Sequence, residues 1–259
     1  MEFAKFSKLL PCFAMLFATP ALAAAPDWTG VYTMAGFMSN DNLDGFKPLN
    51  PDLSSVATAH LKPWAVQKMN DTDTEADDLG AICSFAGLFR HPPTVAGYMW
   101  LQKPGWVYLV STDLRQVGVR RIKLTDHHSA NIAPTWDGES IGHWEGDTLV
   151  VDTIGFNDKS WLMSDMQPHS EELHLIERIR RVDHGKLLEF TSTVEDREAL
   201  RSPYSWSRYY VYRDQDYDDS EGCSDSTYEQ KRWNDIRKDA ITRDQQKADS
   251  QPDAAKLQP

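Results

Sequence analysis

The chain has 259 residues, of which 41% are hydrophobic and 11% aromatic, and carries a formal charge of −12. This length suits one large all-β domain, or one domain with irregular insertions. The acidic balance repels nucleic acid and anionic lipid, so polyanions are poor candidate partners.

At the N-terminus, Lys5 and Lys8 precede the apolar run Leu9 to Ala18, and Ala21-Leu22-Ala23 follows. This basic, apolar, small-residue order predicts a secretory signal peptide over residues 1–23. The run is too short for a membrane-spanning helix. No later run is long and uncharged enough to cross a bilayer, so a soluble secreted or periplasmic protein without membrane insertion is expected. Cys12 lacks the small residues that precede a lipidated cysteine. Cys83 and Cys223 remain, and in an oxidising compartment they are expected to form one disulfide. No flanking residue suggests a stabilised thiolate.

A β-barrel domain is expected over residues 24–225. Asp27 to Met34, "DWTGVYTM", alternates as an opening strand. Residues 37–80 are interrupted by Asn, Asp, Pro and Ser and read as an irregular insertion, with one short helix around Ser54 to Met69. "DTDTEADD" (Asp71 to Asp78) and "DQDYDDSEG" (Asp214 to Gly222) have alternating carboxylates. Both lack glycine at the sixth position of a calcium loop and read as solvated acidic loops.

From Tyr98 the pattern is strongly β: "YMWLQ", a Pro104-Gly105 turn, "WVYLVS", a turn near Asp113, then "QVGVRRIKL". "ESIGHW" and "TLVVDTI" flank Glu145-Gly146-Asp147, a hairpin turn. "YSWSRYYVYR" (Tyr204 to Arg213) sets Tyr204, Trp206, Arg208, Tyr210 and Tyr212 on one face. About nine short strands joined mostly by tight turns predict an antiparallel β-barrel or strongly bent, lipocalin-like sheet. Residues 226–259 read as a polar helical or disordered extension, with Trp233 and Ile236 as anchors and a disordered last stretch.

"PHSEELHLIERIRR" (Pro168 to Arg181) has helical features, since Ser170 can cap a turn holding Glu171 and Glu172. The sequel "DHGKLLEFTSTVE" is rich in strand formers and favours a hairpin. A two-residue His184-Gly185 turn then pairs Val182 with Leu187, Arg180 with Glu189, Ile179 with Phe190, Leu175 with Val194 and His174 with Glu195. The two charged pairs share a face with Thr191 and Thr193, which should meet solvent. The opposite face sets Glu177 among Leu175, Ile179, Phe190 and Val194. A carboxylate there needs a partner, such as Arg120 or Arg121, or its pKa rises.

Candidate acid/base residues follow from this placement. His169, in the loop before the strand, could pair with Glu177, supported by His174 or Arg178. Asp152 shares a face with Val150 and Ile154, but Leu149, Val151 and Thr153 make the other face equally apolar. Which face points inward stays open. His127, His128 and His143 lie near strand ends without the spacing of a paired metal site. If a metal is present, His128, His169 and Glu177 are its candidate ligands. Trp144, Trp161, Tyr204 and Trp206 are candidate ligand-lining residues for an aromatic or apolar guest. No G-x-G-x-x-G, P-loop or H-E-x-x-H pattern occurs after residue 23, which disfavours the common dinucleotide enzymes, P-loop enzymes and zincins.

At "WEGDTLVVDT" (Trp144 to Thr153) and "PHSEELHLIER" (Pro168 to Arg178), the chain resembles a large, mostly uncharacterised family of secreted bacterial proteins. The resemblance spans roughly Cys83 to Arg213 and makes His169, His174, Glu177 and Arg178 motif residues. It implies export and a shared fold, without naming a reaction. "CSFAGLFRHPP" and His143 depart from the family pattern. The expected function is a cofactor-independent lyase- or isomerase-type enzyme acting on a small aromatic or hydrophobic molecule. The alternatives are a lipocalin-like carrier and a cell-envelope interaction protein.

Overall fold

The structure is a computed structural model that describes residues 25–35, 58–73, 77, 87–89, 97–111, 118–162, 166–213 and 227–250. Nine strands form a closed barrel in chain order: β1 (Gly30–Met34), β2 (Tyr98–Lys103), β3 (Trp106–Ser111), β4 (Val119–Leu124), β5 (Glu139–Glu145), β6 (Thr148–Ile154), β7 (His174–Val182), β8 (Leu187–Glu195) and β9 (Tyr204–Arg213). The all-β barrel expectation holds. The signal segment, Cys83, Cys223, the 214–222 loop, residues 251–259 and most of the 37–80 insertion lie outside the described residues. No described helix is long and apolar enough to cross a membrane.

Tight turns do what the sequence anticipates. Gly146 takes φ +60 between β5 and β6, a conformation that costs glycine little. The β7–β8 hairpin has the anticipated register, from His174 opposite Glu195 to Val182 opposite Leu187. Its turn is a 3₁₀ turn over Asp183–Gly185 rather than a two-residue loop, and Asp183 and His184 both take positive φ. One face differs from expectation. Glu189 is buried, because Arg180 Nε and the Tyr209 hydroxyl both donate to its carboxylate, at 2.5 and 2.9 Å.

One seam departs from the antiparallel expectation: β4 and β5 run parallel. Parallel neighbours need a crossover instead of a hairpin, and residues 125–138 supply it. The ladder joins only Ile122 to Ser140, Lys123 to Ile141 and Leu124 to Gly142. Val119, Arg120 and Arg121 therefore have no partner on β5, and the wall is open there.

Inward side chains fall into three layers, because alternate residues of each strand share a face. Around Trp28, Trp100, Leu109, Ile122, Leu149, Ile179 and Phe190 lies one buried apolar cluster. A second contains Phe156, Leu173, Leu175, Val194 and Trp206. Along β7 the order Leu175, Glu177, Ile179 passes from one cluster through a polar layer to the other; β8 repeats it with Val194, Ser192, Phe190.

Helix α1 (Pro63–Asp71) adds Ala65 to the second cluster. Pro63 suits the first helical turn, where its missing N–H is no loss. The chain before it is tied to the β8–β9 connection: Lys62 N–H donates to the Ala199 carbonyl at 2.8 Å, and Arg201 N–H to that of His60 at 2.8 Å. Helix α2 (Thr227–Ser250) is polar, as anticipated. Arg243 ties it to Asp73 just beyond α1, at 2.7 Å. Ile236 is half-buried and Ala240 buried.

Candidate functional site

The inward carboxylate of β7 is where the hairpin register puts it. Glu177 is 6% exposed, and its partner is one of the two arginines the sequence offers: Arg120 donates to Glu177 Oε2 at 2.5 Å. Arg120 also donates to Ser140 Oγ at 3.2 Å and Thr153 Oγ1 at 3.0 Å. Burial opposes the Arg120 charge and Glu177 outweighs it, so the guanidinium pKa is raised overall. The pair faces a cavity of about 40 Å³ with Phe89, Tyr98, Phe190, Ser192 and Trp206. That volume admits a few waters. Drug-sized ligands occupy roughly 300–1,000 Å³.

Arg120 also lines a second space, on the other side of the wall. The opening between β4 and β5 leads to a groove of about 510 Å³, bordered by Trp106, Arg121, Lys123, Trp136 and Asp137. Asp137 Oδ1 is buried and has no hydrogen-bond partner among the described residues. Burial pushes its carboxyl up to about 6, although the nearby Arg120 charge pulls it down. A carboxyl with one buried oxygen lacking a partner and a raised pKa, set in a concavity, is a functional-site signature. Sequence reasoning missed Asp137 because Asp137-Gly138 reads as an ordinary turn before a strand.

His169 does not meet Glu177. It is fully buried, with Nδ1–H donating to the Ser170 carbonyl at 3.0 Å and Nε2 accepting from Ser160 Oγ at 2.7 Å. Burial lowers its pKa, partly offset by the Ser170 carbonyl. Phe89 lies between the two sites, lining the Glu177 cavity and packing 6.2 Å from the His169 ring. Ser160 was not anticipated, since only the loop fold brings it to His169.

Asp152 points outward, because Leu149, Val151 and Thr153 take the buried face of β6. This corrects the possibility of a second inward carboxylate. Its oxygens bridge two imidazoles, His128 Nε2 at 2.8 Å and His174 Nε2 at 2.9 Å. The far nitrogen of His128 reaches Glu139 at 3.0 Å. His174 Nδ1 lies 3.9 Å from Glu195. The hydrogen bond from His174 lowers the Asp152 pKa, while Asp152 raises that of His174. Ser129 also binds Glu139, through N–H at 2.9 Å and through its hydroxyl. The network thus fastens the crossover to the outer wall.

The other candidates are dispersed. Arg178 is an outer-face residue paired with Glu145 at 2.7 Å. Trp206 lines the interior cavity, and Tyr204 packs on it at 5.6 Å. Trp144 packs edge-on against Trp28 at 4.8 Å, in the other cluster. Trp161 bridges Pro168 in the loop before β7. His128, His169 and Glu177 occupy three separate environments, and among the described residues no three His, Cys, Asp or Glu side chains are set to hold a metal ion.

Comparison with protein-family models, curated proteins and solved structures finds no match for this chain.

Proposed function

We propose that this chain is an exported enzyme that moves a proton on a small aromatic or hydrophobic molecule, in a lyase- or isomerase-type reaction without an organic cofactor. The observation that carries the reading is the Asp137 carboxyl, its Oδ1 unpaired in the groove beside Arg120. A carboxyl shifted to about 6 can act as base or acid near neutral pH. Arg120 supplies fixed positive charge where negative charge would develop on the substrate. Glu177, Ser140 and Thr153 hold that guanidinium in place. Export and a Cys83–Cys223 disulfide belong to the same proposal, supported by the basic and apolar N-terminal pattern.

The closed barrel also favours a second reading, a lipocalin-like carrier. The volumes weigh against it: among the described residues, the cavity at Glu177 holds about 40 Å³ against about 510 Å³ in the groove. The test is incubation of the wild type, Asp137→Asn and Asp137→Glu with a panel of small aromatic compounds, read by mass change or by proton exchange with solvent deuterium. Asp137→Asn should slow turnover at least about 100-fold, the usual worth of a positioned acid/base group. Equal turnover by wild type and Asp137→Asn would overturn the assignment. Tight binding with neither conversion nor exchange would favour the carrier.

A further inference from the structure

We propose that the groove at the β4–β5 opening selects a small aromatic anion, its ring against Trp106 and Trp136 and its negative group at Arg121 and Lys123. This rests on the reading of the groove as the working site, and adds the charge and shape of what it takes.

The groove's charge contrasts with that of the chain, which holds 39 acidic against 27 basic residues. Three cations, Arg120, Arg121 and Lys123, border it, with two acids, Asp137 and Glu139. Glu139 is engaged by His128 and Ser129, and Arg120 by Glu177. Among the described residues, Arg121 and Lys123 have no such partner. Strand alternation sets both on the outer face of β4, exposed, while Arg120 and Ile122 turn inward and are buried. Such residues on an outer strand face usually serve only solubility. Here they sit at the mouth of a concavity, beside aromatic surface.

That surface comes from ladder geometry. Trp106 is directly opposite Lys123, and Tyr108 directly opposite Arg121. Trp106 and Tyr108 stack at 6.1 Å, and Lys103 Nζ lies 5.0 Å above the Tyr108 ring. The crossover brings Trp136 to the groove beside Asp137. Aromatic walls favour a flat ring, and unpaired cations favour a carboxylate or similar anion. A cationic ligand would meet three positive groups. A neutral one would leave Arg121 and Lys123 without a counter-charge. In a chain of net negative charge, a cluster of cations is a favoured place for an anion to approach.

The test is calorimetric titration with naphthalene-2-carboxylate, its neutral carboxamide and cyclohexanecarboxylate, using the wild type, Arg121→Gln/Lys123→Gln and Trp106→Leu, each first shown to melt like wild type. The wild type should bind naphthalene-2-carboxylate at least tenfold more tightly than either analogue. Arg121→Gln/Lys123→Gln should erase the preference over the carboxamide, and Trp106→Leu should weaken the preference over cyclohexanecarboxylate. Equal binding of acid and carboxamide by the wild type, undiminished preference in the double variant, or no binding at millimolar concentration would each overturn the inference. Selective binding without chemical conversion of any compound leaves it standing and counts against the enzyme reading alone.

Discussion

The Glu177 carboxylate on β7 meets the Arg120 guanidinium on β4 at 2.5 Å, past the two intervening strands of the wall and between two apolar layers. Removing one member of such a pair strands the other charge in a poorly solvated place. Glu177→Leu or Arg120→Met alone should cost about 3–5 kcal/mol of stability, whereas the double variant should cost less than either. Urea unfolding of the three variants measures this. Additive losses would mean the pair is already well hydrated.

Asp137→Asn should stabilise the protein while slowing the proposed proton transfer. The folded carboxyl, at about 6, lies above its ordinary value of 3.8. The unfolded chain therefore releases its proton first as pH rises, and stability falls between about 3.8 and 6, remaining lowered above that. Asparagine has no proton to lose, so its advantage should reach on the order of 3 kcal/mol well above pH 6. Melting temperatures of both proteins at pH 4 and pH 7 check the prediction, with the gap appearing only at the higher pH.

The two imidazoles of the Pro168–His174 segment should act in opposite directions. His169 is lowered by burial, so the unfolded state takes up a proton first and stability should fall as pH drops below about 6.5. His174 is raised by Asp152, so it stabilises below its ordinary value, and that contribution is lost as pH rises through its raised value. His169→Gln should flatten the limb of stability below about 6.5, and His174→Gln the limb that begins at its ordinary value of 6.5 and extends upward. The second effect is the smaller, because Asp152 is 37% exposed and solvent screens the pair.

Gly97, just before β2, takes φ +128, and a Cβ there would lie 1.8 Å from the Tyr32 carbonyl oxygen of β1. Neither backbone can yield without parting the strands. Gly97→Ala should cost on the order of 3 kcal/mol or more, from strain and steric overlap together. Amide hydrogen exchange should show the loss first in β1.

The barrel was legible in the sequence because strand parity and turn residues are local. In the β7–β8 hairpin, cross-strand charge pairs and a continuous apolar face all required one register, so Glu177 could be set inside by counting. The orientation of β6 was not legible, since Val150 and Ile154 are as apolar as Leu149 and Val151; its neighbours decide it. Asp137 and Ser160 were invisible for another reason. The raised carboxyl arises from burial beside a different strand, and the Ser160–His169 hydrogen bond from a loop path. Arg120 could be named as a partner, but nothing local revealed that it also faces outward through an incomplete seam.

β1 closes the barrel against β9, pairing Val31 with Arg213. The meander from β5 to β9 can assemble from neighbours, but the final join must await nearly the whole length of chain and bears the entropy of a very long loop. Until then the first and last strands of the barrel offer bare backbone to any other copy. Overcrowding during synthesis or refolding should therefore yield intermolecular strand exchange at this join, leaving the hairpins intact.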